Sequence, residues 1–171
     1  MAIRDIVPYT DKFIRKTSKP VKVFDEKLWE LLDDMQETLD SQMGAGLSAV
    51  QVGVLKRVFI ININNMRIEF INPVITKKSG EQYKKEGCLS VSEPFNYVKR
   101  PQKVTVTAYD RFGNKFTLEC EDWTAVCVCH ENDHLDGILY IDKICVPPAG
   151  KGEDEDCVEY SLVQATSVPQ S

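Results

Sequence analysis

Histidine is scarce in this chain: there are two in 171 residues, and both fall between positions 130 and 134. No apolar run approaches the roughly 20 residues of a membrane span. The opening Met-Ala-Ile-Arg-Asp carries two charges where a signal peptide needs the start of an apolar core. Positive charge is also short, with 21 Lys and Arg against 26 Asp and Glu and a net charge of −5. General nucleic-acid binding usually needs a basic face, so neither nucleic acid nor membrane is an expected partner. The expected location is cytoplasmic. Cysteines there stay reduced, so the six at 88, 120, 127, 129, 145 and 157 read as core residues or metal ligands rather than disulfides. With 43% hydrophobic and 27% charged residues and no internal repeat, the chain has the size and composition of one globular domain.

Residues 3–24 mix apolar pairs with charges and read as an arm that wraps the domain. Asp25 is a candidate N-cap, with Phe24 and Trp29 placed as a hydrophobic staple. Leu28, Leu31, Leu32, Met35 and Leu39 then recur at helical spacing, which predicts an amphipathic helix over about 26–42. Gly44-Ala45-Gly46 is expected to stop it. Val58 to Ile63 is β-branched and aromatic and reads as a strand. Asn64-Asn65 turns it into a second, Ile68 to Ile71, which Asn72-Pro73 should close. A further strand is expected near 74–84. Alternation over Val104–Ala108 and Phe116–Cys120, joined by Asp110 to Asn114, predicts a hairpin. Asp122 can cap a helix carrying both histidines and ending near Gly137, and 138–146 suits one more short strand. Past Pro147-Pro148, residues 151–171 hold one lysine against five acids. The expectation is a catalytic domain over 1–148 and an acidic, flexible tail over 149–171. The fold class is α+β: antiparallel sheets packed around a central helix, with an N-terminal amphipathic helix.

His130-Glu131-Asn132-Asp133-His134 carries the chemistry. Residues four apart on a helix share a face, so two imidazoles can grip one metal ion. Glu131 lies about 100° round the helix from His130, within reach of a metal-held water without being a ligand. A catalytic metal site needs three protein ligands. With no third histidine, the third is a carboxylate or a thiolate. Cys88, in Glu86-Gly87-Cys88-Leu89-Ser90, is the best of these; Cys127, three residues before His130, reads rather as a packed core cysteine. In Gly44 to Gly53 the notable residue is Gln51, whose amide can donate to a developing oxyanion.

These three stretches, in this order, resemble the motifs of peptide deformylases: G-x-G-L-A-A-x-Q over Gly44 to Gln51, E-G-C-L-S over Glu86 to Ser90, and H-E-x-D-H over His130 to His134. The resemblance runs over about residues 3–145. It implies that Cys88, His130 and His134 bind one divalent metal, with Fe²⁺ as the native ion and Zn²⁺, Ni²⁺ or Co²⁺ also suited. It implies that a metal-bound hydroxide attacks the formyl carbon of an N-terminal formylmethionine, with Glu131 as the base and then the acid. Gln51 and the Leu89 N–H would hold the oxyanion, and Gly46 would hydrogen-bond the peptide. Val126 and Cys127 would wall the methionine pocket, and Arg100 and Asp133 would form a supporting charge pair. Two positions depart from the pattern: Ser48 stands where alanine is usual and Val50 where proline often is. A basic C-terminal helix helps many relatives dock on the ribosome; this acidic tail cannot, so any ribosome proximity must come otherwise. Two other readings compete: a zinc peptidase of the H-E-x-x-H type, and a deformylase-like protein whose metal is structural or only binds peptides.

Overall fold

The computed structural model describes residues 2–152. Its longest helix, α1 (Glu26–Gln42), starts where expected: Asp25 accepts the Leu28 N–H at 3.1 Å. The helix ends one step earlier than the glycines suggest. Met43 takes the left-handed cap position (φ 52°), and its N–H and that of Gly44 return to the last carbonyls at 3.3 Å. Gly46 then lies in a short strand, β1 (Gly46–Ser48), followed by a 3₁₀ turn over Ala49–Val52. Neither element was expected, because three residues are too few to show a period.

The next strands are β2 (Val58–Ile63), β3 (Met66–Ser79), β4 (Gln82–Cys88), β5 (Val91–Arg100), β6 (Lys103–Tyr109) and β7 (Lys115–Glu121). A five-stranded antiparallel sheet runs β1-β2-β3-β6-β7, and β4-β5 make a separate pair. The expected Asn64-Asn65 turn and the β6–β7 hairpin are present. Asn72-Pro73 does not close a strand, however. Asn72 adopts φ 50° and β3 continues past it with a shift of register. Its amide bonds both the N–H and the C=O of Val21, at 2.8 and 2.9 Å, so the bulge ties down the N-terminal arm.

Helix α2 (Asp122–His134) is the centre. Residues 125–131 are all buried, which a helix achieves only when packed on every side. On one side lie Phe59, Ile61 and Ile63 of β2 with Phe70, Val104, Val106 and Cys120. The alternate residues of β2, Val58 and Ile60, pack with Leu28, Leu31 and Leu32 of α1. Strand β2 is thus covered on both faces, which is why Val58 to Ile61 is an unbroken apolar run. The α+β class and the two helices stand as expected. Asp122 does not cap: Glu121 holds that position, and Asp122, at φ 55°, accepts from the Gln102 side chain. The expected strand in 138–146 is instead a 3₁₀ turn, Tyr140–Lys143, with a single bridge between Ile144 and Val98. Leu139 and Tyr140 bury against Val98 and Ile14, and a turn delivers two consecutive side chains to one side where a strand would not.

Among the described residues no helix is long and apolar enough to cross a membrane. The acidic positions 153–159 lie outside the described residues. The chain leaves α2 through Gly137, at φ 72°, where an added Cβ would fall 2.2 Å from the Arg15 carbonyl oxygen. Gly137→Ala is expected to cost at least about 2 kcal/mol, from left-handed strain plus displacement of the arm. A thermal melt unchanged from wild type would contradict this.

Candidate metal centre and active site

Cys88 ends β4, and His130 and His134 lie one turn apart on α2. The fold brings their donor atoms within 4.8 Å of one another, with Cys88 Sγ 3.3 Å from His134 Nε2. Donors at bond lengths of about 2.0–2.3 Å round one tetrahedral ion stand roughly 3.3–3.8 Å apart, the spacing of the Cys88–His134 pair. The ring orientations also fit. His130 Nδ1 meets Glu86 Oε1 at 2.8 Å, which leaves Nε2 for an ion. Burial, and then the neighbouring His130, hold His134 well below its ordinary pKa, and its Nε2 faces Cys88 Sγ. This donor set of one thiol and two imidazoles is the one expected.

Glu86 was only part of a motif in the sequence, yet it organises the centre. Burial raises its pKa, but bonds from Arg100 and His130 outweigh that and hold it at about 2. Arg100, itself buried, donates from Nε and Nη2 to the two Glu86 oxygens at 2.8 and 2.9 Å, and from Nη1 to Asp133 at 2.6 Å. The expected Arg100–Asp133 pair is therefore half of a triad whose other arm fixes His130.

Glu131 lies beside the donors, its Oε1 4.0 Å from His130 Nε2. Burial is the largest influence on its carboxyl and raises its pKa; His130 and a hydrogen bond from Ser48 oppose this without cancelling it. Gln51 is fully buried, with Oε1 accepting the Ser48 N–H at 2.9 Å. That contact orients the amide: Nε2 donates to Ser90 Oγ at 3.1 Å and is aimed at Cys88 Sγ, 3.5 Å away. The N-terminal arm straps both loops, since Val7 N–H donates to the Gln51 carbonyl and Tyr9 N–H to that of Ser90, each at 2.7 Å.

A pocket opens over these groups, lined by Gly46, Gln51, Cys88, Leu89, Val126, Cys127, His130 and Glu131. Every residue expected at the site is thus at or in one cavity, His134 through its contact with Cys88. Cys127 is buried, its thiol pushed well above the ordinary range by burial and then by Glu131 and Glu86. It lines the pocket, with Sγ 3.7 Å from the Ala45 carbonyl oxygen. Trp123, Phe95 and Lys85 also line the pocket and were not singled out from the sequence. Trp123 was within reach of that reading, because 123, 126, 127, 130, 131 and 134 form one helical stripe. Phe95 was not: its ring lies against Gly87, whose added Cβ would fall 1.6 Å from it, and β5 had no readable alternation.

Strand β1 is the edge of its sheet. Asn62 N–H donates to the Ala45 carbonyl at 2.7 Å, so by the alternation of an antiparallel ladder the N–H and C=O of Gly46 face away from β2, along the pocket.

Comparison with known proteins agrees with this geometry. A family model described as polypeptide deformylase matches residues 3–147. The peptide deformylase of Caldicellulosiruptor bescii is 53% identical over 144 residues, covering 84% of this chain and 87% of that protein. That of Acetivibrio thermocellus is 50% identical, covering 84% and 85%. Among solved structures, a peptide deformylase from Legionella pneumophila is similar at a TM-score of 0.82 and 42% identity, covering 84% of this chain and 87% of that one. One from Thermotoga maritima reaches 0.83 at 35% identity, covering 85% and 100%. A family match over nearly all described residues, with relatives about half identical over most of both chains, leads to one conclusion: this chain belongs to the peptide deformylase family.

Proposed function

We propose that this chain removes the formyl group from N-terminal formylmethionine of newly made polypeptides, releasing formate and a free α-amine, with Cys88, His130 and His134 holding one divalent metal. The observation that carries the reading is the meeting, in one pocket, of that donor set with a carboxylate that is not part of it, Glu131, and an amide donor, Gln51. A metal in this position supplies Lewis acidity toward the carbonyl and lowers the pKa of water. Glu131 takes the proton of the attacking water and passes it to the leaving amine. Gln51 Nε2 and the Leu89 N–H donate to the oxyanion. The outward N–H and C=O of Gly46 pair with the peptide backbone as an added strand does. Val126, Cys127 and Trp123 receive the methionine side chain.

Fe²⁺ is the proposed native ion, a thiolate–imidazole set also suiting Zn²⁺, Ni²⁺ or Co²⁺. The proposed catalytic unit is 1–148, in keeping with the family match over 3–147, with 149–171 an acidic extension. The proposed setting is the cytoplasm, near the ribosome but not docked through a basic C-terminus. Protein loaded anaerobically with Fe²⁺ or Ni²⁺ is expected to release formate from a formyl-Met tripeptide. Chelation should abolish release, and adding the ion back should restore it. No formate from metal-occupied protein would refute the reading, and cleavage of an internal peptide bond would favour a peptidase. Against a purely structural metal site stand Glu131 and Gln51, which such a site does not need.

A further inference from the structure

We infer that Ser48 is a positioning residue for Glu131, selecting which of its carboxylate oxygens faces the metal side. The inference rests on the reading of Glu131 as the base. Residues two apart in a strand share a face, and Gly46 and Ser48 of β1 both meet Glu131. Gly46 does so by what it lacks. A Cβ there would lie 2.8 Å from both Cγ and Oε1 of Glu131, so the side chain lies against the bare α-carbon. Ser48 does so by what it adds. It is fully buried, and its Oγ lies 2.7 Å from Glu131 Oε2 and 2.9 Å from the Glu131 carbonyl oxygen.

A hydroxyl carries one proton and donates to one of these acceptors at a time. Both belong to the same residue, so either orientation ties β1 to Glu131. With Oε2 engaged, the oxygen left over is Oε1, the one 4.0 Å from His130 Nε2. Gly46 leaves room for that oxygen and Ser48 anchors the other. Two positions of one short strand thus set the carboxylate's place and its rotation. An alanine at this position could hold neither, because a methyl group neither donates nor accepts. Ser48 also donates its N–H to Gln51 Oε1, but any residue supplies that bond; only the hydroxyl is particular to serine.

The test compares wild type with Ser48→Ala and Ser48→Thr, each loaded with Fe²⁺ or Ni²⁺ and given a formyl-Met tripeptide. Ser48→Ala is expected to lose about tenfold in kcat, the scale of one hydrogen bond to a charged group, with KM within about twofold. Its metal content should match wild type, and its crystal structure should show the Glu131 carboxylate rotated. Ser48→Thr, which restores the hydroxyl, should recover most of kcat. The inference is overturned by a Ser48→Ala kcat within about twofold of wild type, by loss of its metal, or by a folded Ser48→Thr as slow as Ser48→Ala. Glu131→Ala separates the two readings. If it retains turnover, the assignment of the base has failed; if it is inactive while Ser48→Ala is fast, only the role of Ser48 has.

Discussion

Glu131→Ala is expected to slow formate release by about 10²–10⁴-fold while the protein keeps its metal. The two halves of this result come from different geometry. Metal retention is expected because the proposed donors, Cys88, His130 and His134, leave Glu131 out, and because the Glu86 contact with His130 is untouched. Loss of rate follows because no other carboxylate in the pocket can replace it. Glu86, the nearest alternative, is committed to Arg100 and His130 and stays ionised down to about pH 2. Glu131 differs in that burial raises its pKa, toward the range where one group can both accept and return a proton. The check is metal content and single-turnover formate release on the same sample. Turnover near the wild-type rate would remove Glu131 from the mechanism.

Arg100→Leu is expected to destabilise the fold by about 3–5 kcal/mol, the scale of removing one partner from a buried ion pair. Arg100 is 3% exposed and satisfies both oxygens of Glu86, which is 4% exposed. Without it, a carboxylate is left in the interior with only His130, and Asp133 keeps only its surface partner Lys143. The acid dependence should change with it. In the wild type Glu86 has a folded pKa of about 2 against an ordinary 4.5. Its stabilising contribution is therefore complete above 4.5 and drains away as the pH falls toward about 2. In the variant, burial is no longer outweighed by the guanidinium, so the acid-unfolding limb moves to higher pH. Metal affinity should also fall, by about 10–100-fold, because the Glu86–His130 contact loses its anchor. Thermal melts across the acid range and a metal titration test both. A variant as acid-stable as wild type would show that the triad is not what holds Glu86 ionised.

Much of the molecule was legible before folding wherever one element carried its own period. The α1 stripe from Leu28 to Leu39, the alternation of β6 and β7 and the apolar run of β2 each came through as written. Where the reading failed, the deciding contact lay far off in the chain. Asn72-Pro73 has the look of a turn, but Val21, 51 residues away, uses the Asn72 amide as a partner and the strand carries on. Residues 138–146 are apolar enough for a strand, yet Tyr140 and Leu139 must reach Ile14 and Val98 together, and a 3₁₀ turn does that. Strands β1 and β5 had no visible pattern because one is three residues long and the other is only partly buried.

The opening scarcity, two histidines at positions 130 and 134, settled more than any other feature of the chain. Their spacing alone placed both imidazoles on one helical face with Glu131 beside them, because 3.6 residues per turn leaves no other arrangement. The Cys88 and Gln51 motifs then supplied a third donor and an amide by type and order. What spacing could not say was how groups on different elements would touch. That Gln51 is aimed at Cys88, and that Ser48 and Gly46 close on Glu131, depend on β1 lying against α2. That His130 is steadied by Glu86 and Arg100 depends on β4 and β5 packing on the helix's other side. Local periodicity sets which face a side chain is on; only the packing of one face on another decides what it meets.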